Sequence, residues 1–180
     1  MSCSSSKKHD DKCVRDVVKE IIAAQDQVAN DCCDVSCGRS VRELLSPTAT
    51  NGNTTVPFIL YCKSCKPFIG SGVIRQREGQ GQSNNTFLRC LETPIFKAKK
   101  FVDGSKNCVK LELLLPVNMG GNTPGSGGDE VCDFFPGNGG GPIRNLMSTG
   151  VCITVDLDCF CGISCLEPTT PLPFSMPEED

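Results

Sequence analysis

Several residue types and motifs on which enzymes depend are scarce or missing in this sequence. It has no tryptophan, one tyrosine and a single histidine. That histidine, His9, lies among charged residues near the N-terminus, where a solvated side chain is the simplest interpretation. The patterns HExxH, GxxxxGK[ST] and a Ser/His/Asp set are absent. We therefore expect a protein that is not an enzyme and uses no cofactor.

Excess positive charge and long apolar runs are also missing. The net charge of -3 and the pI of about 5.2 offer no electrostatic attraction to nucleic acid, so no nucleic-acid partner is expected. No run approaches the roughly 18 apolar residues of a membrane helix, so we expect no membrane insertion. The N-terminal stretch MSCSSSKKHDDKC has no apolar core of the kind that signal peptides need. We expect synthesis in the cytoplasm without a signal peptide.

Cysteine, by contrast, is abundant, at 14 of 180 residues. This content approaches that of disulfide scaffolds, which are normally exported because cytosolic thiols are kept reduced. A cysteine-rich chain without an export signal therefore binds metal, performs redox chemistry, or becomes oxidised after leaving the cytosol by another route. Lysis of the producing cell is one such route.

The apolar pattern predicts one cysteine-rich α+β domain at 13–166, between two tails. The predicted segments are a flexible arm at 1–12, helices at about 13–30 and 40–46, strands from 56 onward, and a Pro-rich acidic tail at 167–180. Ser40 and Glu43 have capping-box spacing, which places the start of the second helix at Ser40. Helices followed by five or more strands predict an N-terminal helical segment and an antiparallel β-sandwich or open barrel-like sheet.

Two strand segments alternate with a period of two, and each assigns cysteines to a face. Along 108–115 the residues predicted to face the core are Val109, Leu111, Leu113 and Leu115, and those facing outward are Cys108, Lys110 and Glu112. Along 151–160 the inward set is Ile153, Val155, Leu157 and Cys159, and the outward set is Cys152, Thr154, Asp156 and Asp158. Two glycines within 68–74 predict a bend or bulge there.

Metal binding is the alternative use of the thiols. Cys62 and Cys65 form a CxxC motif, and Cys161 and Cys165 lie within CxCxxxC, so these four thiols have the composition of a tetrahedral zinc site. A zinc ribbon normally shows two CxxC knuckles, and this sequence has one. Redox catalysis is disfavoured because Pro67 follows the CxxC where a thioredoxin-like helix should begin.

Cross-linking between chains is the interpretation we favour. Cys108 and Cys152 fall on the polar faces of their strands, and Cys3 and Cys13 lie in or next to the arm, so all four are candidates for interchain disulfides. Cys90 and Cys159 suit the simpler role of small buried hydrophobic residues. That role is harder to extend to adjacent cysteines or to cysteines in the arm.

Five segments of the sequence resemble the bacterial spore coat Y/Z and exosporium Y family. They are CCDVSC at 32–37, SVRELLSP at 40–47, VPFILYCKSCKPF at 56–68, LETP through FVD at 91–103, and CVKLELLLP at 108–116. The resemblance runs from about residue 13 to 166 and leaves out the arm and the acidic tail. The Gly-rich stretch at 118–142 is longer than the family pattern.

This resemblance implies a structural protein of the outermost spore layer, in the exosporium basal layer or in the outer coat or crust. Such a protein is made in the mother cell, self-assembles into a hexagonal two-dimensional lattice, and is hardened by disulfides. Its partners are further copies of itself and other coat or exosporium proteins. Some cysteines are also predicted to pair within the chain. The candidates form two clusters, Cys32, Cys33 and Cys37, and Cys159, Cys161 and Cys165, whose connectivity stays open.

Overall fold

The computed structural model describes residues 18, 21, 36–46, 52–77, 86–119, 122–123, 128–135 and 141–173. The chain divides into two compact units, Met1–Asp34 and Val35–Asp180. In the first unit the described residues are Val18 and Ile21, which are both helical and about half exposed. The rest of the helix predicted at 13–30, and the arm at 1–12, lie outside the described residues.

The second unit begins with helix α1, which spans Cys37–Leu45. Ser36 caps it, since its side chain accepts a hydrogen bond from the Arg39 N–H at 3.2 Å. The predicted start at Ser40 is therefore three residues too late, and Ser40 is a buried residue inside the helix. Within the described ranges, no helix is both long enough and apolar enough to cross a membrane.

Seven strands form the rest of the second unit as it is described. They are β1 (Phe58–Cys62), β2 (Gly70–Arg77), β3 (Thr86–Thr93), β4 (Phe96–Phe101), β5 (Cys108–Asn118), β6 (Ile143–Asp156) and β7 (Phe160–Cys165). Five of them form an antiparallel sheet in the order β6-β5-β4-β1-β7, while β2 and β3 form a separate two-stranded ribbon. The antiparallel β architecture that was predicted is thus confirmed, with one short helix among the described elements.

The main core lies between the ribbon and one face of the five-stranded sheet. Leu91 of the ribbon packs with Phe96, Leu111 and Leu113 of the sheet, and all four are almost fully buried. The inward set predicted for β5 is confirmed here, because Val109, Leu111, Leu113 and Leu115 are buried in this cluster. Burial of such side chains stabilises the fold by roughly 1.5–3 kcal/mol each.

Glycines allow the ribbon to lie close against the sheet. A β-carbon on Gly70 would lie 2.6 Å from Phe96 Cε1, and one on Gly72 would lie 2.6 Å from Val151 Cγ1. The described pairing of β2 with β3 contains no bulge, since it runs without a register shift. These glycines therefore serve close packing between layers rather than a break in the strand.

The opposite face of the five-stranded sheet carries a smaller apolar cluster. Ile95, Leu114 and Leu146 are buried there, and Phe135 and Leu166 pack against them. Phe135 follows a short 3-10 turn, Val131–Phe134, which interrupts the Gly-rich region. A strand that is buried on both faces along part of its length explains the continuous apolar run LLLPV in β5.

The chain beyond β7 binds to the domain instead of forming a tail from residue 167. Thr169 pairs with Thr55 through backbone hydrogen bonds, and Leu172 forms a parallel bridge to Met147 of β6. Pro171 between them is buried. Residues 167–173, predicted to be part of the acidic tail, are thus hydrogen-bonded to Thr55, which precedes β1, and to strand β6. Residues 174–180 lie outside the described ranges.

Candidate functional site: the cysteines and a buried carboxylate

One disulfide connects the helix to the sheet. Cys37 in the first turn of α1 is bonded to Cys165 at the end of β7, with 4.8 Å between the Cα atoms and a sequence separation of 128. The bond joins one member of each cluster predicted to pair within the chain. Cys32 and Cys33 lie outside the described residues. The disulfide holds the capped end of the helix against the edge strand of the sheet.

The four-cysteine zinc alternative is not supported by this geometry. Cys165 is in the disulfide and has no thiolate to offer. The Cys161 thiol donates a hydrogen bond to the Cys62 carbonyl oxygen at 3.0 Å. In the part of the chain that the structure describes, no three His, Cys, Asp or Glu side chains come together as a metal would require.

Eight of the described cysteines are free, and six of these are exposed. The exposed ones are Cys65, Cys90, Cys132, Cys152, Cys159 and Cys161. They occupy the turn after β1, the ribbon, the 3-10 turn, both edge strands of the large sheet and the turn between those edges. The thiols thus lie on several parts of the surface instead of converging on one site.

The cysteines predicted to form cross-links differ in their exposure to solvent. Cys152 is exposed on edge strand β6, whereas Cys108 on β5 is half-buried. Cys3 and Cys13 lie outside the described residues. Sequence reasoning did not select Cys65 and Cys132 for cross-linking, although the polar neighbours of Cys65 and the Gly-rich surroundings of Cys132 were signals of exposure.

Two cysteines that were expected to be buried are exposed. Cys90 lies on β3 and points away from the core, since its neighbour Leu91 points into it. Cys159 was predicted to continue the inward alternation of 151–160. However, β6 ends at Asp156, and a 3-10 turn, Leu157–Cys159, follows in which that alternation no longer applies. The side chain of Asp156 caps this turn by accepting a hydrogen bond from the Asp158 N–H.

The turn after β1 presents its cysteine in an unusual backbone conformation. Cys65 has φ of +64°, in the left-handed region that favours glycine. Its N–H donates to the Cys62 carbonyl at 2.8 Å, which closes the turn and leaves the Cys65 side chain exposed. The backbone of the turn is thus fixed by a hydrogen bond, while the Cys65 thiol is accessible to solvent.

A buried carboxylate lies where two β-bulges meet. Glu112 of β5 was predicted to face outward, yet it is 5% exposed. Its Oε2 accepts a hydrogen bond from Lys99 Nζ at 3.1 Å, and its Oε1 accepts one from the Gly150 N–H at 3.1 Å. Lys99 and Gly150 lie at register shifts in β4 and β6, on either side of Glu112. The bulges bring donors over this carboxylate, which the alternation along β5 alone does not reveal.

The charge of Glu112 is stabilised by those donors. Burial by itself would raise the pKa of Glu112, because it removes the charged form from water. The hydrogen bonds from Lys99 and Gly150, with the positive charges of Lys99 and Lys97, outweigh burial and lower the pKa below its ordinary value of 4.5. Glu112 therefore stays ionised at neutral pH, where it connects three adjacent strands.

A cavity of about 920 Å³ lies on the second face of the sheet, beside the disulfide. Ile59, Phe135 and Leu146 supply apolar walls, and Arg144 and Glu167 lie at its polar part. Cys37 and Cys165 also line it, but as a disulfide they offer no nucleophile.

Taken together, the antiparallel sheets, the helix-to-sheet disulfide and the scattered exposed thiols define a cysteine-rich β protein with several free thiols at its surface. Comparison with known proteins identifies its family. The family model described as spore coat protein Z matches residues 1–168. Spore coat protein Z of Bacillus subtilis (strain 168) is 32% identical over 157 residues, which cover 87% of this chain and 89% of that protein.

The chain therefore belongs to the spore coat protein Z family, and the resemblance seen in its sequence is confirmed. Membership supports a structural role in the spore coat. No solved structure gives a significant match to the chain.

Proposed function

We propose that this protein builds the outermost layer of the spore by self-assembling into an ordered, hexagonal two-dimensional lattice that disulfides between chains reinforce. The observation that carries the proposal is the contrast among its described cysteines. Two of them pair within the chain, while six present free thiols at the surface. The first pair stabilises the fold, and the exposed set is available to neighbouring molecules.

A lattice needs contacts in several directions, because an array grows only when its contacts propagate instead of closing on themselves. The exposed thiols satisfy this need, since they lie on different elements. Cys90 is on the two-stranded ribbon, Cys152 and Cys161 are on the opposite edge strands of the large sheet, and Cys132 is on the 3-10 turn. One chain is thus able to form covalent bonds to more than two neighbours.

Sheet edges supply noncovalent contacts that precede the covalent ones. The outer side of β6 is covered at Leu146–Ser148 by the segment around Leu172. Among the described residues, no strand covers that side of β6 around Cys152. An open edge exposes backbone donors and acceptors to which another chain can add a strand. Pairing at such an edge would hold Cys152 next to a neighbouring molecule.

The timing of oxidation follows from the compartment. A chain made in the mother-cell cytoplasm keeps its thiols reduced and assembles through reversible contacts. Lysis of the mother cell exposes the layer to oxidising surroundings, and disulfides then fix contacts that already exist. Other coat or exosporium proteins with exposed cysteines would be joined to the lattice in the same way. In this role the protein needs no catalytic activity.

Negative-stain electron microscopy of the purified full-length protein, with paired reducing and non-reducing gels, tests the proposal. We expect ordered sheets, tubes or stacked layers and a ladder of covalent oligomers that reductant removes. Assemblies that keep their order in reductant would place the noncovalent contacts first, as proposed. A monodisperse monomer with no ordered assembly in either condition would overturn the proposal.

A further inference from the structure

The outer face of the β2–β3 ribbon is an exposed apolar patch with a thiol at its centre. Val73 is 58% exposed and Leu88 is 69% exposed. Cys90 is directly opposite Val73 in the register and is also exposed. On the other face of the ribbon, Leu91 and Ile74 pack into the core. Among the described residues, the ribbon is therefore a layer that is covered on one side only.

Charges flank this patch in a self-complementary order. Alternation places Glu92, Cys90 and Leu88 on the outer face of β3, and the register sets Arg75 opposite Leu88. We call each pair of residues that face each other across the two strands a row. The row with Glu92 lies two residues from the Cys90 row along the ribbon, and the row with Arg75 lies two residues away on the opposite side. The acidic and basic rows are roughly 13 Å apart along the strands, which is too far for an ion pair within the chain.

We infer that the outer face of the ribbon binds the same face of a second copy of this chain around a two-fold axis at Cys90, and that the two Cys90 thiols become an interchain disulfide. With the axis at this row, Glu92 of each copy meets the row of its partner that carries Arg75. Val73 and Leu88 of both copies are covered around the thiols. The inference rests on the proposed self-assembly and assigns one of its interfaces.

The size of the ribbon explains why this contact needs a covalent bond. Its paired length is eight residues, so its outer face measures roughly 26 Å by 10 Å. That area is well below the roughly 800 Å² per partner of a stable interface. The noncovalent contact is therefore weak and reversible, and it serves to align the thiols. Disulfides between facing sheets occur within β-sandwich domains, so this geometry is accessible to cysteine side chains.

The covalent step is a thiol–disulfide exchange with a low-molecular-weight disulfide as the oxidant. One Cys90 thiolate attacks that disulfide, forms a mixed disulfide and releases one small thiol. The Cys90 thiolate of the second copy then attacks the Cys90 sulfur of the mixed disulfide and releases the second small thiol. Two Cys90 thiols are oxidised to one disulfide, and one small disulfide is reduced to two thiols.

Charge reversal at the interface provides the test. Reduced full-length protein is oxidised with glutathione disulfide and digested without reduction, and the peptide pair joined through Cys90 is quantified by mass spectrometry. Glu92→Arg alone and Arg75→Glu alone each place like charges across the axis twice, so we expect about tenfold less of this product. The double variant Glu92→Arg/Arg75→Glu should restore the yield to within about threefold of the unchanged protein.

Other cysteines provide the control and the contrary outcomes. Disulfides through Cys132, away from the ribbon, should form equally in all four proteins. The inference is overturned if Cys90 is bonded mainly to a different cysteine, or if the single charge reversals leave the Cys90 product unchanged. Ordered sheets in which Cys90 stays reduced would overturn this interface while the proposed lattice function stands. Monomers without interchain bonds at any cysteine would overturn both.

Discussion

Lys99 and Glu112 form an ion pair at 3.1 Å that joins β4 to β5 at a bulge. The second oxygen of Glu112 accepts the Gly150 N–H from the bulge of β6. One carboxylate thus satisfies donors from both neighbouring strands at the place where regular ladder hydrogen bonds are interrupted. Thr149 supports the same bulge, because its hydroxyl donates to the Leu113 carbonyl at 2.8 Å.

Replacement of this carboxylate should weaken the sheet. Glu112→Gln keeps an acceptor for Gly150 but loses the charge beside Lys99, which is itself 43% exposed and hence partly screened by water. We expect a loss of about 1 kcal/mol in the free energy of unfolding, measured by denaturant titration with circular dichroism. Lys110→Gln, at an exposed position of the same strand, is the control. Equal stability of Glu112→Gln and the unchanged protein would contradict this role.

The same contact predicts a pH dependence with a definite sign. Because the folded state lowers the pKa of Glu112 below 4.5, its ionised form stabilises the fold at neutral pH. That contribution should disappear as the pH falls from about 4.5 through the lower folded pKa. The stability difference between the unchanged protein and Glu112→Gln should therefore shrink in acid, which unfolding curves at a series of pH values would measure. A difference that grows in acid would refute the assignment.

The sequence correctly predicted burial where it depends on the alternation along one strand, and failed where burial depends on the arrangement of several strands. The alternation of β5 correctly located Leu111 and Leu113 in the core. The same rule misplaced Glu112, because its surroundings depend on bulges in two other strands. Cys159 was misplaced for a local reason, since the strand gives way to a 3-10 turn after Asp156.

The pairing of the cysteines was also beyond local patterns. Cys37 and Cys165 are separated by 128 residues, and their proximity depends on β7 completing the sheet beside β1. Sequence clusters identified both residues as candidates but could not choose between partners. The thiols that stay free depend on the same tertiary arrangement. The residue patterns did not explain how a cysteine-rich chain without an export signal becomes oxidised. The resemblance to spore coat proteins supplied that explanation.

Loss of the disulfide should lower stability strongly. Because it closes a loop of 128 residues, the chain-entropy model gives a contribution of up to about 5 kcal/mol. Cys37→Ser should therefore lower the melting temperature, and reductant should have little further effect on that variant. Cys132→Ser, which removes a free exposed thiol, is the matched control and should melt like the unchanged protein. Equal melting temperatures for Cys37→Ser and Cys132→Ser would show that the bond does not stabilise the fold.

The close packing of the ribbon predicts a large effect from a single methyl group. In Gly70→Ala the new methyl would lie 2.6 Å from Phe96 Cε1 and 2.8 Å from Leu113 Cδ2, both in the buried core. We expect a destabilisation of about 1–3 kcal/mol by denaturant titration. Gly38→Ala in the helix is the control, since a β-carbon there would have no atom within 4 Å and helix propensity favours alanine. Similar stabilities for the two variants would contradict the proposed layer packing.

At Cys65 the effect of the backbone conformation on stability can be measured separately from the effect of the exposed thiol on cross-linking. Its left-handed backbone, with φ of +64°, is strained by a β-carbon, so glycine should relieve about 1 kcal/mol in the folded state. The greater freedom of glycine in the unfolded chain offsets part of this gain, and we expect Cys65→Gly to be more stable by about 0.5 kcal/mol. Cys65→Ser is the matched variant, because it keeps the strain and removes the thiol. If the thiol serves cross-linking, both variants should lose the same covalent oligomers on non-reducing gels, while denaturant titration shows a gain only for glycine. Unchanged oligomers in both variants would exclude Cys65 from the lattice bonds.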